Sequence, residues 1–244
     1  MLGGGRALLM QVAHPLVAAG VADHSDFTAN PFDRLWRTLD TALTVIFGDT
    51  EQSREAIRHV TEIHGGVRGR RGDIAYSALD PDLLLWVHAT LVDSSIAAYE
   101  AFVGSFPEQV RESYYLEMRR MGTAFGIPEH LHPPTYAAFR RYLDDAMADL
   151  EIGDECRQVA RQVLSPEAPL VLAPAELASG LAAGGLLPPA IRDGLRLRWT
   201  RSADVAFAGM ATSIRVGVPL LPDRVRRWPH ARAAERRMAA PRGA

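Results

Sequence analysis

Apolar residues recur at helical spacing through most of this chain, and no stretch sustains the period-two alternation of a half-buried strand. Asn-Gly hairpin turns are also missing. That pairing of signals confines the chain to an all-α architecture. The punctuation supports it. A first helix is predicted from Arg6 to about Ala22, kinked where His14-Pro15 interrupts its apolar run. A second starts at Asn30-Pro31, with Asn as N-cap and Pro in the first turn, and stops at Gly48. Asp49 or Thr50 caps a third, which ends at Gly65-Gly66. Asp80-Pro81 opens a fourth and most apolar helix, Leu83 to Val103. Others follow from Pro107 to Phe125, from Thr135 to Leu150 and after Asp154.

The stretch from Ser165 to Pro189 is rich in Ala, Leu, Pro and Gly, and short helices with an exposed or interfacial surface are expected near Pro174 to Ala183. Two more helices are predicted, from Pro188 to Trp199 and from Ser202 to Val216. An arginine-rich tail, Arg224 to Ala244, frays after Met238. With no internal repeat and no long linker, the 244 residues read as a single domain of about ten helices, its core spanning about 5–218. The opening Met1-Leu2-Gly3-Gly4-Gly5 leaves a start further upstream open.

Composition removes whole classes of chemistry. All 27 basic residues are arginines, so a Schiff-base lysine, a pyridoxal-phosphate enzyme and a Walker-type phosphate loop are excluded. The arginine-only usage points to GC-rich bacterial coding. The single Cys156 excludes an intramolecular disulfide, a Cys-rich zinc site, a cysteine-ligated iron–sulfur cluster and covalent haem attachment through Cys-x-x-Cys-His. A net charge of −2 gives no bulk case for nucleic acid or an anionic membrane. The longest apolar run, Ala7 to Val21, is broken by Gln11, His14 and Pro15 and is too short to span a bilayer; a cytoplasmic protein is expected. Hydrolase elbows, His-Glu-x-x-His and a dinucleotide fingerprint are absent, and Gly3-Gly4-Gly5 is only a faint anion-binding signal.

The histidines carry what chemistry the sequence offers. His64 ends an apolar stripe of Ile57, Val60 and Ile63, and Arg68 follows at i+4, on the same helix face if the helix runs through Gly65 and Gly66. A neutral imidazole in an apolar pocket is a good axial ligand for haem iron, and a nearby arginine can pair with a propionate. The same spacing equally describes a buried histidine bonded to a carbonyl. Arg34 and Thr38 also lie four apart, either as a polar pair aimed into an apolar pocket or as a solvated arginine and a threonine bonded to its own turn. His88, Thr90 and Asp93 interrupt the most apolar helix. They form either an internal hydrogen-bond network or a layer behind a bound ligand. His14 reads as a satisfied histidine at a kink, and a metal site at His130 and His132 lacks a third ligand.

Taken together, several segments resemble one family. These are the run from Arg6 through His14-Pro15 and Gly20 to His24-Ser25, then Asn30-Pro31-Phe32-Asp33-Arg34-Leu35-Trp36-Arg37-Thr38, Phe47-Gly48, Ile63-His64-Gly65-Gly66-Val67-Arg68-Gly69, Tyr76 to Pro81, and Trp86-Val87-His88-Ala89. They are similar to the oxygenases that include latex-clearing protein (the bacterial rubber oxygenase) and the fungal MpaB oxygenase. The resemblance covers about Gly5 to Tyr142 and continues more loosely to about Val218. It implies a globin-like helical core holding haem b non-covalently, with dioxygen and a small apolar substrate, an unsaturated lipid or isoprenoid among the candidates. It matches His64 to the proximal iron ligand and Arg68 to the arginine beside it. It matches Arg34 and Thr38 to the catalytic pair on the opposite side, where Arg34 stabilises developing negative charge and Thr38 positions oxygen or water. Arg37 and His88 join the expected cofactor contacts.

Two departures stand out. Arg37 occupies the place where the rubber-cleaving branch has a lysine, and arginine offers no neutral amine to iron. No acidic residue precedes Asp23, so the upstream glutamate base of that branch has no counterpart. Rubber cleavage by that route is therefore not expected. A non-catalytic haem or apolar-ligand-binding protein is the first alternative, and a haem-free helical scaffold the second. A homodimer through the apolar stretch Leu170 to Pro189 is left open.

Overall fold

A computed structural model describes residues 2–24, 40–164 and 173–239. Helices dominate it, as the periodicity predicts. The chain opens with α1 (Gly4–Ala13), which is apolar on all sides and runs through the centre of the molecule. Leu9, Met10, Val12 and Ala13 have no solvent exposure. The expected kink after it is a full break: His14 is extended because Pro15 disfavours the helical region in the residue before it, and α2 (Pro15–His24) sets off anew. The imidazole is satisfied there, its Nδ1 accepting from the Leu16 amide at 3.3 Å. The Gly3–Gly5 run serves packing rather than an anion: a Cβ on Gly3 would lie 2.8 Å from the Ser94 carbonyl oxygen, and one on Gly5 2.9 Å from the Ala183 Cβ.

The described part of α3 (residues 40–47) leads into α4 (Thr50–Gly66). A short antiparallel hairpin follows, β1 (Arg68–Arg71) and β2 (Ile74–Ser77), paired in register Arg71↔Ile74. No strand was expected here. The turn is Gly72-Asp73, with Gly72 at φ 56°; glycine stands first rather than second, and β1 is Arg-Gly-Arg-Arg, without an apolar residue. Then come α5 (Pro81–Phe102), α6 (Glu108–Ala124), α7 (Tyr136–Ala148) and α8 (Asp154–Leu164). Asp80 caps α5 as predicted, accepting from the Asp82 amide at 2.9 Å.

The C-terminal part contains α9 (Ala173–Leu186), α10 (Pro189–Gly194), α11 (Arg201–Gly217), α12 (Asp223–Arg226) and α13 (Pro229–Ala239). The helix predicted from Pro188 to Trp199 stops at Gly194. Arg196 adopts φ 55°, and the Leu197 amide returns to the Arg192 carbonyl at 3.0 Å, which closes the helix. Ala182 and Ala183, at the end of the stretch expected to have an exposed or interfacial surface, are buried, and α9 packs against α1. The main core is built on α1 by Trp86, Ala89, Val92 and Ile96 of α5, Phe139 and Leu143 of α7, Val159 and Ala160 of α8, and Ile191 of α10. Among the described residues, no helix is long and apolar enough to cross a membrane.

Candidate functional site

The α3–α4 hairpin presents the first candidate. Asp49 starts α4 with a capping box: its Oδ1 accepts from the Gln52 amide at 2.9 Å, and its own amide donates to Gln52 Oε1 at 3.0 Å. The Ser53 hydroxyl donates to the Val45 carbonyl at 3.1 Å, which holds α3 and α4 side by side and antiparallel. Asp40 of α3 and His59 of α4 therefore line one groove of about 340 Å³.

Along α4 the half-buried positions are Ser53, Ala56, Ile57, Val60 and His64, one face at helical spacing. Ile63, expected on this stripe, points outward and is 55% exposed. His64 continues the inner face in its place. Burial lowers its pKa below the ordinary histidine value, so the ring is neutral at pH 7. Among the described residues, no group hydrogen-bonds this imidazole. Beside it, a Cβ on Gly65 or Gly66 would meet nothing within 4 Å, so the backbone there is open to approach.

Arg68 does not share the helix face of His64. The α4 helix ends at Gly66, where the Val67 amide closes on the His64 carbonyl at 3.0 Å, and Arg68 belongs to β1 with an exposed side chain. Its carbonyl oxygen lies 3.1 Å from His24 Nε2, which joins the end of α2 to the start of β1. Arg34, Arg37 and Thr38 lie outside the described residues.

His88 sits in a different setting, buried between α5 and α6. Its ring meets that of His132 edge-on, 6.0 Å between centroids. Its Nε2 is buried without a partner among the described residues. The His132 Nε2 is likewise buried without a partner among the described residues. Burial foremost, then the nearby His132, pushes the His88 pKa down to about 4. Gly122 makes the pair fit: a Cβ there would lie 2.6 Å from His132 Cε1 and 3.0 Å from His88 Nε2. Nothing in the sequence links His88 to His132.

The other polar residues of α5 belong to a buried ion network. Asp93 accepts from Arg6 Nη2 at 2.5 Å and from Arg140 Nη1 on its other oxygen. Arg6 also donates to the Ser94 hydroxyl and to the Leu186 carbonyl, both at 2.7 Å. Thr90 donates to the Val87 carbonyl within its own turn at 2.7 Å. A cleft of about 440 Å³ opens beside this network, lined by Glu100, Arg111 and Tyr136 among others. Its walls are mostly charged, with Ile96, Ala97, Met147 and Pro188 as the apolar part of the lining. Arg6 is the residue that sequence reasoning passed over; a lone arginine inside an apolar helix is the signal that marks it.

Asp23, the first carboxylate in the chain, is also committed. Arg71 grips it with two bonds of 2.7 and 2.8 Å, and Tyr76 donates its hydroxyl to the same group. These partners hold its pKa down at about 2. It stays a paired carboxylate and does not accept protons near neutrality. Among the described residues, no group of three or more His, Cys, Asp or Glu is placed to hold a metal ion.

The family described as ER-bound oxygenase mpaB/B'/Rubber oxygenase, catalytic domain, matches residues 1–216, and the chain belongs to it. Two uncharacterised proteins, from Mycobacterium bovis and Mycobacterium tuberculosis, are each 31% identical over 229 residues, covering 89% of this chain and 88% of theirs. No solved structure matches.

Proposed function

We propose that this oxygenase-family chain binds haem b through His64 and oxidises an apolar, unsaturated lipid or isoprenoid-like substrate. The observation that carries the reading is the His64 imidazole: neutral, on the inner face of α4, unbonded among the described residues and flanked by open glycine backbone. That donor fits an axial iron ligand, which needs a neutral ring nitrogen and no cluster of further protein ligands. Haem, when bound, supplies the redox-active iron that dioxygen chemistry requires.

The protein's own residues do the rest. His64 contributes its lone pair, and the open Gly65-Gly66 backbone admits a large flat ligand. Arg34, always protonated, would hold negative charge in the pocket, and Thr38 would donate or relay a hydrogen bond. Arg37 cannot offer a neutral amine and acts only as a cation. Arg68, exposed on β1, would pair with a cofactor carboxylate.

A second reading, a non-catalytic haem or apolar-ligand-binding protein, is favoured by one observation. Asp23, the first carboxylate in the chain, is locked to Arg71 and Tyr76 and cannot serve as a base. Oxygen uptake separates the two. Haem-loaded protein is mixed with a polyunsaturated isoprenoid such as squalene, and dissolved oxygen is followed. The oxygenase reading expects substrate-dependent uptake that falls about a hundredfold in Arg34→Ala. Haem binding without uptake across a panel of apolar alkenes supports the binding protein instead.

A further inference from the structure

We propose that the end of α11 and the α12 segment form a docking surface for an anionic lipid bilayer. The net charge of −2 conceals a split along the chain. From Val216 to Ala239 six arginines stand against Asp223 and Glu235, a local charge of +4, which leaves −6 for the remainder. Within the same stretch the apolar side chains point outward: Leu220 is 81% exposed, and Val216, Leu221 and Val225 are exposed as well. The patch extends across elements. Arg215 Nη2 donates to the Glu100 and Ala101 carbonyls at 2.9 and 2.8 Å, which sets the end of α11 beside the end of α5. Exposed Tyr99 of α5 and Val103, just after it, lie there.

Exposed aliphatic and aromatic side chains interleaved with Arg224, Arg226 and Arg227 are the chemistry of an interfacial segment. The apolar tips enter the headgroup–acyl boundary while the guanidinium groups meet lipid phosphates. Part of the charge is internally paired, Arg226 and Arg227 with Asp223 and Arg227 again with Glu235. The excess of four positive charges remains for an anionic surface. The inference goes beyond the oxygenase reading and stands without it, because vesicle binding is measured with neither haem nor substrate.

The test is co-sedimentation of the full chain with vesicles of phosphatidylcholine alone or mixed with phosphatidylglycerol. Wild type is expected to sediment with the anionic vesicles, to do so less as salt rises, and to leave neutral vesicles largely unbound. The double variant Val216→Glu, Leu220→Glu should lose about tenfold or more in partitioning. Ile74→Glu, an equally exposed apolar site on the hairpin, should lose none. Circular dichroism checks that the double variant is folded; if it is not, Arg224→Gln with Arg236→Gln is used, and should reduce binding to anionic vesicles only. No sedimentation, equal binding to neutral vesicles, or equal loss in Ile74→Glu overturns the proposal. So does a dimer by light scattering that Leu220→Glu dissociates while vesicles stay unbound.

Discussion

Replacing Asp93 by alanine should be among the most damaging single substitutions in this chain. Both carboxylate oxygens are used, one by Arg6 and one by Arg140. The two arginines differ in a way that fixes the magnitude. The Arg6 side chain is only 5% exposed, whereas that of Arg140 is 37% exposed. Arg140 can turn to water when its partner goes; Arg6 cannot. Asp93→Ala leaves a buried guanidinium with the Ser94 hydroxyl and the Leu186 carbonyl but no counter-charge. Removing one partner of a buried pair costs about 3–5 kcal/mol, a large part of the 5–15 kcal/mol typical of a whole fold. Arg140→Ala breaks a half-exposed pair and should cost about 1 kcal/mol or less. Arg6→Met combined with Asp93→Leu removes both buried charges and should recover most of the loss. Urea unfolding followed by circular dichroism measures all three. The reasoning is refuted if Asp93→Ala loses under about 1 kcal/mol, or if Arg140→Ala loses as much as Asp93→Ala.

Two further expectations concern the histidine pair. Gly122→Ala gains about 1 kcal/mol of helix propensity but drives a methyl to 2.6 Å from His132 Cε1. Overpacking of about 1–3 kcal/mol outweighs the gain, so the urea midpoint should fall, and a rise would contradict the geometry. Stability should also depend on pH through His88. Its folded pKa of about 4 lies below the unfolded value, so the unfolded chain binds the proton first; stability is complete above about pH 6.5 and declines as pH falls toward 4. His88→Phe should flatten that slope in unfolding curves taken between those limits, and an unchanged slope would remove His88 as its source.

Local signals made much of this architecture legible. Asp49 with Gln52 and Asp80 with Pro81 begin helices where predicted, because a cap depends on its immediate neighbours. The misses have physical causes too. Gly65-Gly66 ends α4, so the i+4 relation of His64 and Arg68 never becomes a shared face. Hydrophobicity alone placed Ile63 on the buried stripe, whereas the helix phase gives that position to His64. The hairpin escapes the sequence pattern because its turn is Gly72-Asp73 and β1 carries three arginines in four residues, of which Arg71 pairs with Asp23 and Glu155. The His88–His132 and Arg6–Asp93 contacts join residues far apart in the chain, which periodicity cannot show.

The central claim is that His64 is the protein's ligand to haem iron. The most direct measurement is the visible absorption spectrum of protein loaded with haem, taken for wild type, for His64→Gly, and for His64→Gly with added imidazole. The account predicts an intense Soret band in wild type, its loss or shift in the variant, and its restoration when free imidazole fills the space the side chain left. A Soret band identical in wild type and His64→Gly would contradict it, as would a protein that takes up no haem at all.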